Sequence, residues 1–210
     1  MIAIIDNCGS NITSVKFALE RLGQNVILTS DSAEIQSADY VVLPGVGQAG
    51  HAMSALKASG LAELIPTLTQ PVLGICLGMQ LLFKHSEEDD ISCLGIIKGK
   101  VKRFKSKPEL IIPHMGWNTL LSTQGGHRGR HFLLNGVSEK DCVYYVHSYC
   151  AEVNDATVAS NDYGVDAGGG CVPFAAIVNH QNFYGMQFHP EKSGKVGEQL
   201  LKNFIMGSQS

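Results

Sequence analysis

The stretch Gly74 to Gln80, reading GICLGMQ, restricts the fold more than any other part of this chain. It ends the apolar run that begins at Pro71. It opens a segment, Leu77 to His85, in which Leu77, Gln80 and Leu81 recur at helical spacing and predict a helix. A reactive side chain with glycine two places before it and two after, where a buried strand turns into a helix, is the pattern of a nucleophile elbow. The turn is so sharp that side chains at 74 and 78 would collide with neighbouring backbone, while the residue between them is lifted above the carboxyl ends of the strands. The Cys76 sulfur would face the N-terminus of the next helix, which favours thiolate over thiol. A buried cysteine in a Gly-containing turn gives the same string, so GxCxG does not by itself define an enzyme.

The flanking sequence repeats the strand-then-helix grammar. Met1 to Asp6 is a short apolar run, after which Ile12, Val15, Leu19 and Leu22 follow a helical period until Gly23 offers a stop. Asn25 to Thr29 and Tyr40 to Leu43 are further β-rich runs, and Pro44-Gly45-Val46-Gly47 breaks the chain before an alanine-rich helical stretch around 49 to 59. Repeated βα units predict a parallel sheet with helices on both faces. From Gly95 the signals turn to strands: IIKGKVKRF, YYVHSY, ATVAS, then FAAIVNH and FYGMQF across a short polar turn, which predicts antiparallel hairpins added to the sheet. A final helix is expected near Lys195 to Ile205, and the Gly-rich stretches 124 to 129 and 166 to 170 read as surface loops. The expected class is therefore α/β with a mostly parallel, partly mixed central sheet, in a single domain over residues 1 to 210.

Several functions are excluded by what is missing. A formal charge of -3 gives no basic surplus for a nucleic-acid partner. No apolar stretch approaches the roughly 20 residues of a membrane helix, and no leader-like segment opens the chain, so a cytoplasmic protein is expected. The six cysteines form no CxxC pair and suggest neither a zinc site nor a disulfide framework. His127 and His131 have the spacing of two ligands on a helix but lack a third, so no metal is expected. The lysines at 98, 100, 102, 105 and 107, with Arg103, read as a solvated strand edge.

The second chemical motif is FHPEKS, Phe188 to Ser193. Pro190 biases His189 toward an extended backbone, where residues i and i+2 project to one side, so His189 and Glu191 can act together. A thiolate nucleophile needs a base that carries its proton and returns it to the leaving group, and that base needs a carboxylate to fix its tautomer. The order Cys, His, Glu differs from the Ser, acid, His order of α/β-hydrolases and argues against an esterase.

With both motifs in place, the chain resembles the class I, triad-type glutamine amidotransferases. PGVG at 44 to 47, IPHMGWN at 112 to 118, YYVHSY at 144 to 149 and FHPEKS narrow the resemblance to the glutaminase subunits of imidazole glycerol phosphate synthases, over essentially the whole chain. Family members often carry Gly-Asn before the first helix and Ala-Phe after PGVG, where this chain has Ser10-Asn11 and Gln48-Ala49. The resemblance implies a flavodoxin-like fold, with Cys76 as nucleophile, His189 as proton shuttle and Glu191 as its orienting carboxylate. It further implies an oxyanion hole from the N–H of Leu77 and that of Gly47 or Val46, and a glutamine site at Gln80, Gly45, His147, Ser148 and Tyr149, with His147 structural rather than catalytic. Asn11, Trp117, Tyr144 and Lys192 would face the partner, a (βα)8-barrel cyclase in a heterodimer that uses the ammonia in histidine biosynthesis. No cofactor is required. A glutaminase serving another synthase (aminobenzoate, anthranilate or pyridoxal phosphate), a stand-alone cysteine hydrolase and a silent binding module remain as alternatives.

Overall fold

A computed structural model of the protein describes residues 1–6, 12–105, 108, 110–122, 131–163 and 173–208. The Gly-rich stretches 124 to 129 and 166 to 170, Lys107, His127 and Asn11 lie outside the described residues.

In chain order the strands are β1 (Ile2–Ile5), β2 (Val26–Thr29), β3 (Tyr40–Leu43), β4 (Val72–Ile75), β5 (Phe83–Ser86), β6 (Ile91–Ser92) and β7 (Ile97–Arg103). They continue as β8 (His114–Thr119), β9 (Leu121–Ser122), β10 (Cys142–His147), β11 (Tyr149–Ala151), β12 (Thr157–Asn161), β13 (Phe174–His180) and β14 (Phe183–Met186). The helices are α1 (Ile12–Arg21), α2 (Ser32–Ser37), α3 (Ala49–Ala58), α4 (Leu61–Leu64), α5 (Leu77–Leu81) and α6 (Gly194–Gly207). An eight-stranded sheet in the order β2-β1-β3-β4-β14-β13-β12-β9 forms the centre. Strands β2, β1, β3, β4 and β14 pair in parallel, and β13, β12 and β9 extend the sheet antiparallel.

Both faces of that sheet are covered, and the alternation of its strands shows how. Ile2 and Ile4 of β1 and Tyr40 and Val42 of β3 join the apolar cluster that includes Val15 and Leu19 of α1 and Leu200, Leu201 and Phe204 of α6. Their neighbours Ala3, Ile5, Val41 and Leu43 join the opposite cluster, with Ile35 of α2, Met53 and Leu56 of α3 and Met79 of α5. A strand buried on both faces loses the polar half of its pattern, so these runs read as continuously apolar.

The second half departs from the expected hairpins in part. Strands β12, β13 and β14 do extend the central sheet as antiparallel neighbours. The IIKGKVKRF strand β7 instead sits in a separate four-stranded sheet, order β11-β7-β5-β6, and YYVHSY is divided between a two-stranded ribbon, β10 with β8, and β11. The expected helix from Leu77 to His85 ends at Leu81, because Phe83 to Ser86 is drawn into a strand that pairs in parallel with β7. Phe83 is fully buried and Lys84 exposed.

Close packing, rather than flexibility, explains the glycines of the elbow. A Cβ on Gly78 would lie 1.8 Å from the Leu43 carbonyl oxygen, and one on Gly74 would lie 2.7 Å from the backbone of Gly78. Strand β4, the elbow and the end of β3 touch through backbone alone, which fixes the height of residue 76 above the sheet.

Candidate active site

Cys76 occupies the sharp turn after β4, at φ 54° and ψ -110°, a region that non-glycine residues avoid at a cost of about 1–3 kcal/mol. The turn is held from both sides: the Cys76 N–H donates to the Met186 carbonyl of β14 at 2.8 Å, and the Cys76 carbonyl accepts from Gln80 N–H at 3.2 Å. Strain of this kind persists only where the surroundings over-determine it, and here it aims the sulfur into a cavity of about 360 Å³. The walls include Val46, Gly47, Leu77, Gln80, Tyr149 and His189.

The HPE turn reaches that cavity from the far end of β14. His189 N–H donates to the Tyr144 carbonyl at 2.9 Å, and the Ser193 hydroxyl donates to the His189 carbonyl at 2.6 Å while accepting from Tyr144 N–H at 2.9 Å. The turn is thereby pinned to β10. It is also clamped by α6, since a Cβ on Gly197 would lie 1.9 Å from the Pro190 carbonyl oxygen. His189 Nδ1 donates to Glu191 Oε1 at 2.8 Å, with both side chains almost wholly buried. The imidazole also hydrogen-bonds to Cys76. Burial pushes the imidazolium down, yet the hydrogen bonds and charges of Cys76 and Glu191 outweigh it and hold the His189 pKa up to about 9. Cys76, His189 and Glu191 therefore form one connected array with a proton kept on its middle member at neutral pH.

The other expected site residues divide into those that meet at the cavity and those that do not. Leu77, Val46 and Gly47 line it beside the sulfur, and Gly47 has φ +95°, a conformation that disfavours any side chain. Gln80, His147, Ser148 and Tyr149 line it as well. Gly45 packs against the elbow: a Cβ there would strike Gly78 N at 2.7 Å and Leu77 Cβ at 2.8 Å. Trp117 and Tyr144 are register partners in the ribbon and meet edge to face at 5.9 Å, with Trp117 59% exposed. Exposed Lys192 lies on the turn that Tyr144 anchors.

Three contributors escaped the sequence reading. Glu88 lines the cavity and its carboxylate accepts from Ala49 N–H at 2.9 Å; burial raises its pKa, with Asp89 adding to the effect and the Ala49 contact opposing it. It stands half-buried in a run, Glu87 to Asp90, that looks like ordinary solvated acid. Gln187, fully buried, places Nε2 3.9 Å from Cys76 Sγ and accepts from Gln80 Nε2 at 3.0 Å. Its signal was available, since it stands two residues before His189 on an extended chain. Ser193 was visible in sequence only as the end of a motif. Among the described residues no group of three or more His, Cys, Asp or Glu side chains could hold a metal ion, and no helix is long and apolar enough to cross a membrane.

An elbow cysteine joined to a His-Glu pair above a flavodoxin-like sheet defines a class of amide-cleaving proteins, and comparison with known proteins agrees. Residues 3–207 match the model of the family Glutamine amidotransferase class-I, and this chain belongs to that family. The imidazole glycerol phosphate synthase subunit HisH of Bacteroides thetaiotaomicron is 48% identical over 97% of this chain and 98% of its own length. HisH 2 of Legionella pneumophila strain Paris is 49% identical over 98% and 97%. Within the class, the chain belongs to the family of these HisH subunits. In fold it is similar to a crystal structure of a glutamine amidotransferase, with TM-score 0.73 at 15% identity over 100% of this chain and 99% of that one. The glutaminase domain of Trypanosoma brucei CTPS, solved with bound acivicin, gives TM-score 0.63 at 16% identity over 97% and 93%.

Proposed function

We propose that this protein hydrolyses L-glutamine and passes the ammonia to a (βα)8-barrel cyclase partner, which makes imidazole glycerol phosphate and an aminoimidazole carboxamide ribotide in the cytoplasmic synthesis of histidine. The observation that carries the reaction is the connected array of Cys76, His189 and Glu191 at the mouth of a cavity sized for a small amino acid.

In this reading the Cys76 sulfur attacks the γ-carboxamide carbon, and the oxygen that becomes negative is met by the N–H of Leu77 and of Gly47 or Val46. His189 gives its proton to the amide nitrogen, the C–N bond breaks, and ammonia leaves a γ-glutamyl thioester on Cys76. Water then attacks the thioester, His189 takes a proton from that water, and glutamate departs as the sulfur is restored. Glu191 holds the imidazole through Nδ1 so that Nε2 faces the sulfur. Glu88, the acid on the cavity wall, pairs with the substrate ammonium, and Gln80 fixes its other end. Trp117 with Met115 on the same face of β8, both more than half exposed, together with Lys192, forms the rim that meets the partner.

The test is ammonia release from glutamine by the protein alone, with the barrel cyclase, and with the cyclase and its nucleotide ligand. Turnover is expected to rise at each step and KM to rise on Glu88→Gln; full turnover without any partner would contradict a subunit role. The pH profile follows from His189. Because its folded pKa is raised, the proton needed by departing ammonia is present through neutrality and lost as pH rises through about 9. The kcat profile should fall on that alkaline limb, and Glu191→Gln should move the limb toward neutrality. A profile that stays level well above pH 9 would remove His189 from the proton-transfer role.

A further inference from the structure

Beneath the cavity lies a chain of polar side chains that the triad does not use. His114 and His147 are register partners at the end of the β8–β10 ribbon, both nearly inaccessible, with His114 Nδ1 3.1 Å from His147 Nε2. His147 Nδ1 lies 2.8 Å from the Tyr149 carbonyl oxygen, and that same oxygen accepts from Gln80 Nε2 at 2.8 Å. At the other end, His114 Nε2 faces Asn118 Nδ2 at 3.4 Å.

A backbone carbonyl only accepts, and this fixes every proton in the chain. His147 must carry its proton on Nδ1, so its Nε2 is a lone pair and His114 Nδ1 must be the donor to it. His114 Nε2 is then an acceptor, which matches the amide Nδ2 of Asn118 opposite it; the Asn118 orientation is set separately, since its Oδ1 accepts from Thr119 N–H at 2.8 Å. Likewise Gln80 must turn its nitrogen toward Tyr149, its second proton goes to Gln187 Oε1, and its carbonyl oxygen is the end left for a ligand. Burial lowers the pKa of His114 to about 4 and that of His147 to about 3, so neither ring takes a second proton that would reverse a bond.

We propose that His114 is a positioning residue for glutamine: by donating from Nδ1 it locks the His147 tautomer and the Tyr149 carbonyl, and so the orientation in which Gln80 presents its oxygen to the substrate. Without that donor the His147 lone pair is buried unpaired, the ring gains by turning, and the Tyr149 carbonyl loses one of the two donors that hold it. The role rests on the glutaminase reading above and deepens its binding site.

His114 also stacks between Tyr163, at 3.8 Å, and Tyr145, at 4.7 Å, so a purely structural role has to be separated from a positioning one. Two substitutions do this from opposite sides. His114→Phe keeps a ring in the stack but has no proton to give. His114→Asn gives up the stack but places an amide nitrogen where Nδ1 stood. In the partner-bound enzyme, His114→Phe is expected to raise KM for glutamine about tenfold while kcat changes less than about threefold. His114→Asn is expected to melt lower than the parent yet keep KM within about threefold of it. A Phe variant with parental KM, or an Asn variant whose KM rises as far as that of Phe, would overturn the assignment, and either variant decides alone if the other does not fold. Parental protein that fails to hydrolyse glutamine in the same assay would instead strike the activity reading.

Discussion

Cys76→Ala is expected to lower glutamate release from glutamine by at least about 10⁴-fold, since removing the nucleophile of a triad leaves only the binding and oxyanion contributions. The loss should fall on turnover alone. Besides its bond to His189 the sulfur makes long contacts, 3.9 Å to the Val146 carbonyl oxygen and to Gln187 Nε2, and the backbone bonds that hold the elbow, Cys76 N–H to Met186 and Gln80 N–H to Cys76, do not involve it. Alanine at φ 54° is as strained as cysteine, so stability should stay close to that of the parent. The rim proposed to meet the partner, around Trp117 and Lys192, is untouched by the change, so association measured by titration calorimetry should be unaltered. Residual turnover at a tenth of the parental rate would mean that another group attacks the amide.

The second large effect is on folding rather than chemistry. Gly78→Ala places a methyl 1.8 Å from the Leu43 carbonyl oxygen, a distance at which backbone must move because no flexible side chain is available to yield. Overpacking of cores usually costs about 1–3 kcal/mol, and a clash with the rigid backbone at the end of β3 is expected to reach or exceed the upper end of that range. The measurement is the urea midpoint of the variant against the parent. An unchanged midpoint would show that β3 and the elbow are not in contact as described. The same contact explains why the cysteine stands at one height above the sheet, so any folded Gly78→Ala protein should also lose activity through displacement of Cys76.

Much of this architecture was written in local signals. The parallel half of the sheet follows from apolar runs and helical periods in alternation, and the elbow and HPE turn are legible because glycine and proline act on their immediate neighbours. Strand β5 was not legible. Its residues Phe83 to Ser86 continue a helical count from Leu77, and what ends the helix is pairing with β7, a partner distant in sequence. The division of YYVHSY between two sheets has the same origin, since β10 follows β8 whereas β11 follows β7.

The site shows the same boundary between local and distant information. Cys76, His189 and Glu191 carry their chemistry in short motifs, so sequence placed them together. Glu88 lies in an acidic run whose pattern promises exposure, and only its packing under the N-terminus of α3 brings it to the cavity. Gly45 shows a need that its motif did not announce: a Cβ there would strike Gly78 and Leu77, so glycine lets the end of β3 approach α5. His114 and His147 are far apart in sequence and meet only through the register of the ribbon.

The most direct test of the central claim is to trap the intermediate. Partner-bound protein is mixed with radiolabelled glutamine, quenched in acid within the first turnovers, digested, and the label located by peptide mapping. The account predicts label on the peptide carrying Cys76, released by hydroxylamine as a thioester should be, and absent from the Cys76→Ala protein. Rapid glutamate release with no label on Cys76, or with label on Cys93, Cys142 or Cys150, would contradict it.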